Sequence, residues 1–366
     1  MRVILSGGGT GGHIYPALAL SKVIKEHEPD SEFLYVGSLR GVEANIVPKT
    51  GMAFDQLEIQ GFRRSLSFDN FKTLYFFLKA VHRAKKIIRD FKPDVVIGTG
   101  GYVSGAVVYA AQALKIPTVI HEQNSVAGIT NRFLARKATR IGLAFQAAES
   151  QFPSEKTRLV GNPRAQEVAG IQSDFSWTEI GLTDNQPTLL IFGGSQGAPA
   201  INKAVLQAMS DFNQRSYQTV IVTGPKRFDS FQTQLKELNI TPQAQIKILP
   251  YIDNMPAVLA KTAAIVARAG ATSLAEITAL GIPSILIPSP YVTGDHQRKN
   301  AQSLVEAGAA LMITEDQLSE QKLMATVDQI MLDQTMRADM AKKAAAIGEP
   351  QAGEALYRLV LDAMAE

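Results

Sequence analysis

The chain has 366 residues, with 37 Lys and Arg against 34 Asp and Glu, a formal net charge of +3. That length favours two domains over one. The absence of cysteine excludes a disulfide framework and a thiolate metal site, and five histidines with no HxxxH or HExxH spacing argue against zinc. No apolar run reaches the roughly 18–20 residues of a membrane span, and the N-terminal stretch lacks a signal-peptide core, so a cytoplasmic protein is expected. The charge is uneven: residues 1–163 carry +8 and residues 164–366 carry −5. An anionic partner for the first half follows from that split.

In chain order, β-rich apolar runs fall at 2–6, 32–37, 54–59, 95–98, 118–121, 140–143 and 158–160, with helical patterns between several of them. This alternation predicts a parallel sheet covered by helices. The stretch 165–187 lacks sustained periodicity and reads as a linker with a short helix. A second series then begins with "TLLIFGGSQGAPAINKAV" at 188–205, and strands recur at 219–223, 246–249, 264–267, 284–287 and 310–312. The predicted fold class is α/β, with two Rossmann-like, doubly wound parallel-sheet domains.

Three glycine turns stand between strand and helix: "SGGGTGGH" (6–13), "GTGGYVSG" (98–105) and "FGGSQGAPA" (192–200). Such a turn lets backbone N–H groups approach an anion at a helix N-terminus. Three of them point to phosphate-bearing ligands. Gly7, Gly9 and Gly12 match the dinucleotide fingerprint, but the second strand ends "YVGSLRG" without the carboxylate that would hold a ribose. Arg40 leaves an NADP-linked oxidoreductase as the alternative. No turn continues as G-K-[ST], which disfavours a P-loop enzyme. Sugar transfer from a nucleotide sugar is the third class. With no D-x-D pair to bind a metal, the leaving diphosphate would be neutralised by helix N-termini and by Arg164 and Arg268.

The motifs "GGGTGGHIYPALA", "GTGGYVSGA", "HEQNSVAGITNR", "GNPR", "GGSQGA", "YIDNM", "RAGATSLAEI" and "GDHQRKNA" occur in this order along the whole chain. Together they closely resemble the MurG family of glycosyltransferases. The resemblance implies a GT-B fold, with two domains facing across a cleft. It also implies inverting transfer of N-acetylglucosamine from UDP-GlcNAc to the 4-hydroxyl of the muramyl sugar of undecaprenyl-linked lipid I, giving lipid II for peptidoglycan synthesis. No metal or other cofactor is expected. The location implied is peripheral, on the cytoplasmic face of the cell membrane, where other cell-wall synthesis proteins are possible partners. The expected division is an acceptor- and membrane-facing domain over 1–163, a UDP-GlcNAc-binding domain over 164–345, and a C-terminal helix over 346–366 packing back on the first.

Residue by residue, the resemblance places Glu276 on the ribose hydroxyls and the backbone of Ile252 on the uracil. Ser195, Gln196 and Gly197 cradle the diphosphate, and Asn124 and Gln297 contact the sugar, since amides both donate to and accept from hydroxyls. Thr10, Gly11 and Gly12 form the tip of the first turn, facing the donor sugar or the diphosphate of the acceptor. Arg164 is read as a cleft residue, with a hinge salt bridge as its structural alternative.

Transfer needs a base for the acceptor hydroxyl. His13 sits at the exit of the first glycine turn. An imidazole, with an ordinary pKa near 6.5, suits proton abstraction, and a helix N-terminus disfavours its charged form. Glu122 is the alternative base and His121 a further one. For the membrane, residues 61–92 carry nine Lys and Arg against two Asp and Glu. On a helix, Leu74, Phe77, Leu78, Val81, Ala84 and Ile88 share one face. Lys72, Phe76, Lys79, Arg83 and Lys86 share the opposite one, which is taken as the face toward an anionic membrane surface. No nucleic-acid-binding module is present, so nucleic acid is not an expected partner.

Overall fold

The computed structural model describes residues 1–61, 69–194 and 197–366, without the side chains of residues 69–72. It divides into two compact units, Met1–Glu167 with Glu349–Glu366, and Val168–Gly348.

The first unit runs β1 (Arg2–Gly7), α1 (Gly11–His27), β2 (Glu32–Ser38), the short α2 (Glu43–Ile46), β3 (Ala53–Leu57), α3 (Asp69–Phe91), β4 (Val95–Gly100), α4 (Gly101–Ala113), β5 (Thr118–Glu122), α5 (Ile129–Ala135), β6 (Arg140–Leu143), β7 (Thr157–Leu159) and α6 (Pro163–Ala169). The seven strands form one sheet in the order β3-β2-β1-β4-β5-β6-β7, and every neighbouring pair is parallel. Val3, Ile4 and Leu5 are fully buried on both faces of β1, which is why that strand reads as a continuous apolar run. On one face α1 contributes Ile14, Ala17, Leu20 and Ile24 to the core. On the other, Ala80, Val81, Ala84 and Ile88 of α3 pack with Val103 and Val107 of α4.

The second unit runs β8 (Thr188–Phe192), α7 (Pro199–Gln207), α8 (Met209–Phe212), β9 (Gln218–Val222), α9 (Phe228–Glu237), β10 (Ile246–Leu249), α10 (Met255–Leu259), β11 (Ala264–Ala267), α11 (Ala271–Ala279), β12 (Ser284–Leu286), α12 (His296–Glu306), β13 (Ala310–Met312), α13 (Glu320–Met331) and α14 (Gln334–Ile347). Its six parallel strands are ordered β10-β9-β8-β11-β12-β13. The last helix, α15 (Ala352–Met364), belongs to the first unit. Leu356, Val360 and Ala363 enter the core beneath α1, and the Tyr357 hydroxyl donates to Glu28 at 3.0 Å.

The third strand covers 53–57 instead of 54–59; other strand ends shift by one or two residues, a normal uncertainty of element boundaries. The aperiodic stretch 165–187 contains the end of α6 and a 3₁₀ turn, Trp177–Ile180, closed by a Ser176–Glu179 capping box. Trp177 is buried, and its indole N–H donates to the Lys261 carbonyl at 3.2 Å, which ties this stretch to the second unit.

Strand order reverses between β1 and β4 in one sheet and between β8 and β11 in the other. Open parallel sheets bind ligands at the carboxyl ends of the strands at such points. The glycine turns at 7–12 and 100–101 follow the first pair of strands, and Gly193 and Gly194 follow β8.

Candidate functional sites at the two switch points

In the first unit β1 ends at Gly7, and α1 begins at Gly11 with Thr10 as its N-cap. The Thr10 side chain makes no cap bond, and its carbonyl accepts from the His13 and Ile14 N–H groups. Gly11 and Gly12 occupy the first helical turn, where N–H groups have no intrahelical acceptor. Their neighbour turn is pressed close: Gly101 has φ +85, and a Cβ there would lie 2.5 Å from the Gly8 carbonyl oxygen. A Cβ on Gly100 would meet the His13 ring at 2.8 Å. Glycine is required at both positions for the two turns to meet.

His13 Nδ1 lies 2.8 Å from the Gly8 carbonyl oxygen. A carbonyl only accepts, so Nδ1 carries the proton. In the neutral ring Nε2 then holds a lone pair. Such an arrangement fits a general base at the C-terminal edge of the sheet.

The other base candidates, Glu122 and His121, are buried and hydrogen-bonded. Glu122 is buried, and its oxygens accept from the Asn124 and Gly128 backbone N–H groups at 3.0 and 2.9 Å and from Asn131 Nδ2 at 2.9 Å. It organises the 122–131 loop. His121 is also buried; Nε2 donates to the Gly161 carbonyl at 2.8 Å while Nδ1 accepts from Gln123, and burial pushes its pKa down. The Asn124 amide donates to Glu122 Oε1 at 3.4 Å, a contact inside its own loop. Arg164 pairs with Glu167 at 2.5 Å and lies over the Tyr15 ring. Burial alone would raise the Glu167 pKa, but Arg164 and Lys22 outweigh it and hold the carboxyl below its ordinary value. Arg164 thus carries an ion pair within its own short helix, three residues apart.

In the second unit a cavity of about 650 Å³ opens at the switch point. Phe192, Gly193, Gly194 and Gly197 line it at the end of β8, with Ala198, Pro199 and Ala200 at the start of α7. Gly270, the N-cap of α11, and Gln297, in the first turn of α12, line it as well. Three helix N-termini thus border one cavity, a concentration of backbone donors and positive dipole ends suited to a diphosphate. Lys203, Ser273, Ser289 and Tyr291 also line it. Sequence reasoning missed these four; Lys203, four residues into the helix after the glycine turn, was the one a spacing argument had within reach.

Gly197 has φ +69, and a Cβ there would lie 2.2 Å from the Thr223 carbonyl oxygen. Ser195 and Gln196 lie outside the described residues. Gln297 Oε1 accepts the Ser289 N–H at 2.9 Å, which leaves its amide N–H groups to donate. Arg268 lines the cavity but is not a bare cation: it pairs with Glu315 at 2.5 Å and donates to the Ile287 and Pro288 carbonyls. Of the two arginines expected to help the helix N-termini neutralise the diphosphate, Arg268 is thus at the cavity, with its charge partly answered by Glu315. Glu276 lies in α11, largely buried, and Ile252 follows β10, half-buried; neither lines this cavity.

On α3 the basic face is exposed and partly paired. Lys72 lies outside the described side chains. Lys79 pairs with Glu58 at 2.6 Å and Arg83 with Asp55 at 3.2 Å, so acidic groups from the β3 region answer that part of the basic stripe. Phe76 is half-buried and Lys86 exposed. The apolar face is covered only in its second half. Leu74, Tyr75 and Leu78 are 48%, 64% and 59% exposed, and Ile129 and Phe133 of α5 are 77% and 55% exposed. The Phe77 and Phe133 rings meet edge to face at 6.5 Å, which brings α3 and α5 together beside these exposed residues. No helix among the described residues is long and apolar enough to cross a membrane, and no cluster of potential metal ligands occurs among them.

Two doubly wound parallel sheets with glycine turns at their switch points are the fold of GT-B glycosyltransferases. The glycosyltransferase family 28 N-terminal domain matches residues 3–143 and the family 28 C-terminal domain matches residues 188–356. The chain belongs to this family. It is 70% identical, over 100% of its length and 99% of the relative's, to the UDP-N-acetylglucosamine–N-acetylmuramyl-(pentapeptide) pyrophosphoryl-undecaprenol N-acetylglucosamine transferase of Leuconostoc citreum. A relative of the same name from Limosilactobacillus reuteri is 58% identical over 100% of this chain and 99% of its own. Among solved structures, MurG of Acinetobacter baumannii superimposes with a TM-score of 0.78 at 28% identity, covering 99% of each chain. A putative UDP-N-acetylglucosamine 2-epimerase from Listeria monocytogenes, at 13% identity and a TM-score of 0.72 over 98% of this chain and 95% of its own, shares the fold. None of these findings favours an oxidoreductase.

Proposed function

We infer that this chain transfers N-acetylglucosamine from UDP-GlcNAc to the muramyl 4-hydroxyl of undecaprenyl-diphospho-muramyl-pentapeptide, converting lipid I to lipid II with inversion at the anomeric carbon. The observation that carries this reading is the 70% identity over the full chain to a transferase of that name. In the reaction the acceptor oxygen bonds to C1 of the donor sugar as the C1–O bond to the diphosphate breaks. UDP leaves with the bonding electron pair, and the hydroxyl proton passes to His13 Nε2. The three helix N-termini around the second unit's cavity, with Gly197 and Lys203, take the diphosphate charge; Glu276 holds the ribose diol, the Ile252 backbone meets the uracil, and Gln297 donates to the sugar. Thr10, Gly11 and Gly12 offer N–H groups to the acceptor's diphosphate. Calorimetric titration tests the donor class: UDP binds and NADPH does not, whereas NADPH binding alone would return the oxidoreductase.

Backbone dipoles and Lys203 together supply the electrostatic stabilisation that a metal provides elsewhere. Activity is therefore expected to survive EDTA. A complete loss restored by Mg²⁺ would overturn this account of the diphosphate.

The protein works at the cytoplasmic face of the membrane, where its lipid acceptor resides. The patch of Leu74, Tyr75, Leu78, Ile129 and Phe133 enters the interface, and exposed basic residues such as Lys86 meet anionic headgroups. Replacing Leu78 by Asp places a charge in that patch. It should lower cosedimentation with phosphatidylglycerol vesicles about tenfold, since roughly 1.5–3 kcal/mol accompanies burial of one such side chain. Turnover of a water-soluble acceptor should stay unchanged. Undiminished vesicle binding would move the membrane contact elsewhere.

A further inference from the structure

Glu43 opens α2, five residues after the end of β2, and has no part in the mechanism above. It is fully buried, and none of the ion pairs among the described residues includes it. Its carboxylate instead accepts three hydrogens. Oε1 takes the Ser38 N–H at 2.9 Å and the Ser38 hydroxyl at 2.5 Å, and Oε2 takes the Gly9 N–H at 3.0 Å. Burial opposes its charge, but these donors outweigh burial and hold its pKa below the ordinary value. The glycines around it make the room: a Cβ on Gly8 would lie 2.4 Å from Oε1, and one on Gly41 would lie 2.2 Å from it.

The Gly9 N–H belongs to the same peptide group as the Gly8 carbonyl, and that carbonyl accepts the His13 Nδ1–H at 2.8 Å. One amide therefore bonds a buried carboxylate at its nitrogen end and the imidazole at its oxygen end. A negative charge on the N–H side shifts electron density onto the carbonyl oxygen, and hydrogen bonds in series strengthen one another. We propose that Glu43, acting through the Gly8–Gly9 peptide group, is the positioning residue of His13, fixing its Nδ1–H tautomer and stabilising the imidazolium formed when Nε2 takes the acceptor's proton. A carboxylate bonded directly to Nδ1 does this in serine hydrolases; here a peptide group stands between the two. The inference rests on the reading of His13 as base.

The surrounding bonds keep the peptide from turning over. Gly8 N–H donates to the Gly100 carbonyl at 3.2 Å, the Tyr35 hydroxyl to the Gly7 carbonyl at 2.7 Å, and the Thr99 hydroxyl to the His13 carbonyl at 2.6 Å. Tyr35 is the second buried titratable group at the turn, and burial and the Glu43 charge keep it protonated. Strand β4 and helix α4 bring Thr99, Gly100, Gly101 and the Val103 side chain against the turn, none of them titratable. On α1 itself Tyr15 lies beside Gly11, with the Arg164 guanidinium over its ring.

Glu43→Gln keeps the size of the side chain and removes its charge. The expected result is a fall in kcat of about tenfold, a fraction of what a general base contributes, with both KM values unchanged. In ¹⁵N-histidine spectra the midpoint of the His13 titration should move to lower pH. In a His13→Ala background the same substitution should add no further loss, because two residues acting through one step are not additive. Unchanged kcat and midpoint in Glu43→Gln, with His13→Ala still crippled, would overturn the relay and leave the base intact. Additive losses would reduce Glu43 to a support for the loop. Near-normal turnover by His13→Ala would remove the base reading first. Should Glu43→Gln not fold, Glu43→Asp, which keeps the charge but draws it back from the Gly9 N–H, takes its place: a lowered kcat and His13 midpoint support the relay, and wild-type values of both overturn it.

Discussion

Replacing His13 by alanine is expected to lower kcat by about 10²–10⁴-fold, the range that a positioned general base contributes. Donor affinity should hardly change, because the cavity proposed for the diphosphate is built by residues of the other unit. The variant should keep its fold: the ring of His13 is only half-buried, while the packing of α1 is carried by Ile14, Ala17, Leu20 and Ile24. The acidic limb of the wild-type pH–rate profile should flatten, since that limb reports protonation of the base. A loss of only a few-fold with the limb retained would assign His13 to substrate positioning. Intact kcat with weakened acceptor binding would make it a contact for the lipid diphosphate. Circular dichroism and separate titrations of donor and acceptor distinguish these outcomes.

The second large effect is expected at Gly197. Its φ of +69 lies in the left-handed region, and an added Cβ would lie 2.2 Å from the Thr223 carbonyl oxygen. That oxygen cannot easily give way, because it also accepts from Asn202 Nδ2 at 2.9 Å. Gly197→Ala must therefore reshape the turn after β8. If the turn holds the diphosphate, one or more charge-assisted hydrogen bonds are lost at roughly 1.5–3 kcal/mol each, a decrease in UDP affinity of about 10–100-fold. Glu276→Ala in the same titration should cost a similar amount through the ribose, with acceptor KM unchanged. Wild-type UDP affinity in Gly197→Ala would place the diphosphate away from this cavity. Unchanged affinity in Glu276→Ala would free Glu276 of the ribose.

The two sheets were legible because parallel strands buried on both faces leave continuous apolar runs, such as Val3–Leu5 and Ala264–Ala267. Glycines that a turn requires also leave a mark: Gly101 and Gly197 occupy backbone conformations that disfavour side chains. What could not be read was pairing across long separations. Glu43 lies 34 residues from the Gly9 N–H it accepts, and nothing local distinguishes it from a solvated helix residue. Arg268 looked like a bare cation until the fold brought Glu315 beside it, 47 residues away. On α3 the helical period separated two faces but did not say which part of the apolar one would be covered. Ala80, Val81 and Ala84 pack in the core shared with α4, whereas Leu74 and Leu78 stay 48% and 59% exposed. Asp55 and Glu58, which answer Arg83 and Lys79, come from a segment whose strand was placed one or two residues out of position.

The measurement that tests the account most directly is transfer of radiolabelled N-acetylglucosamine from UDP-GlcNAc to a lipid I analogue by the purified chain. The account predicts a β-linked disaccharide product on the muramyl 4-hydroxyl with stoichiometric release of UDP. Release of UDP without disaccharide, or a product retaining the donor's anomeric configuration, would contradict it.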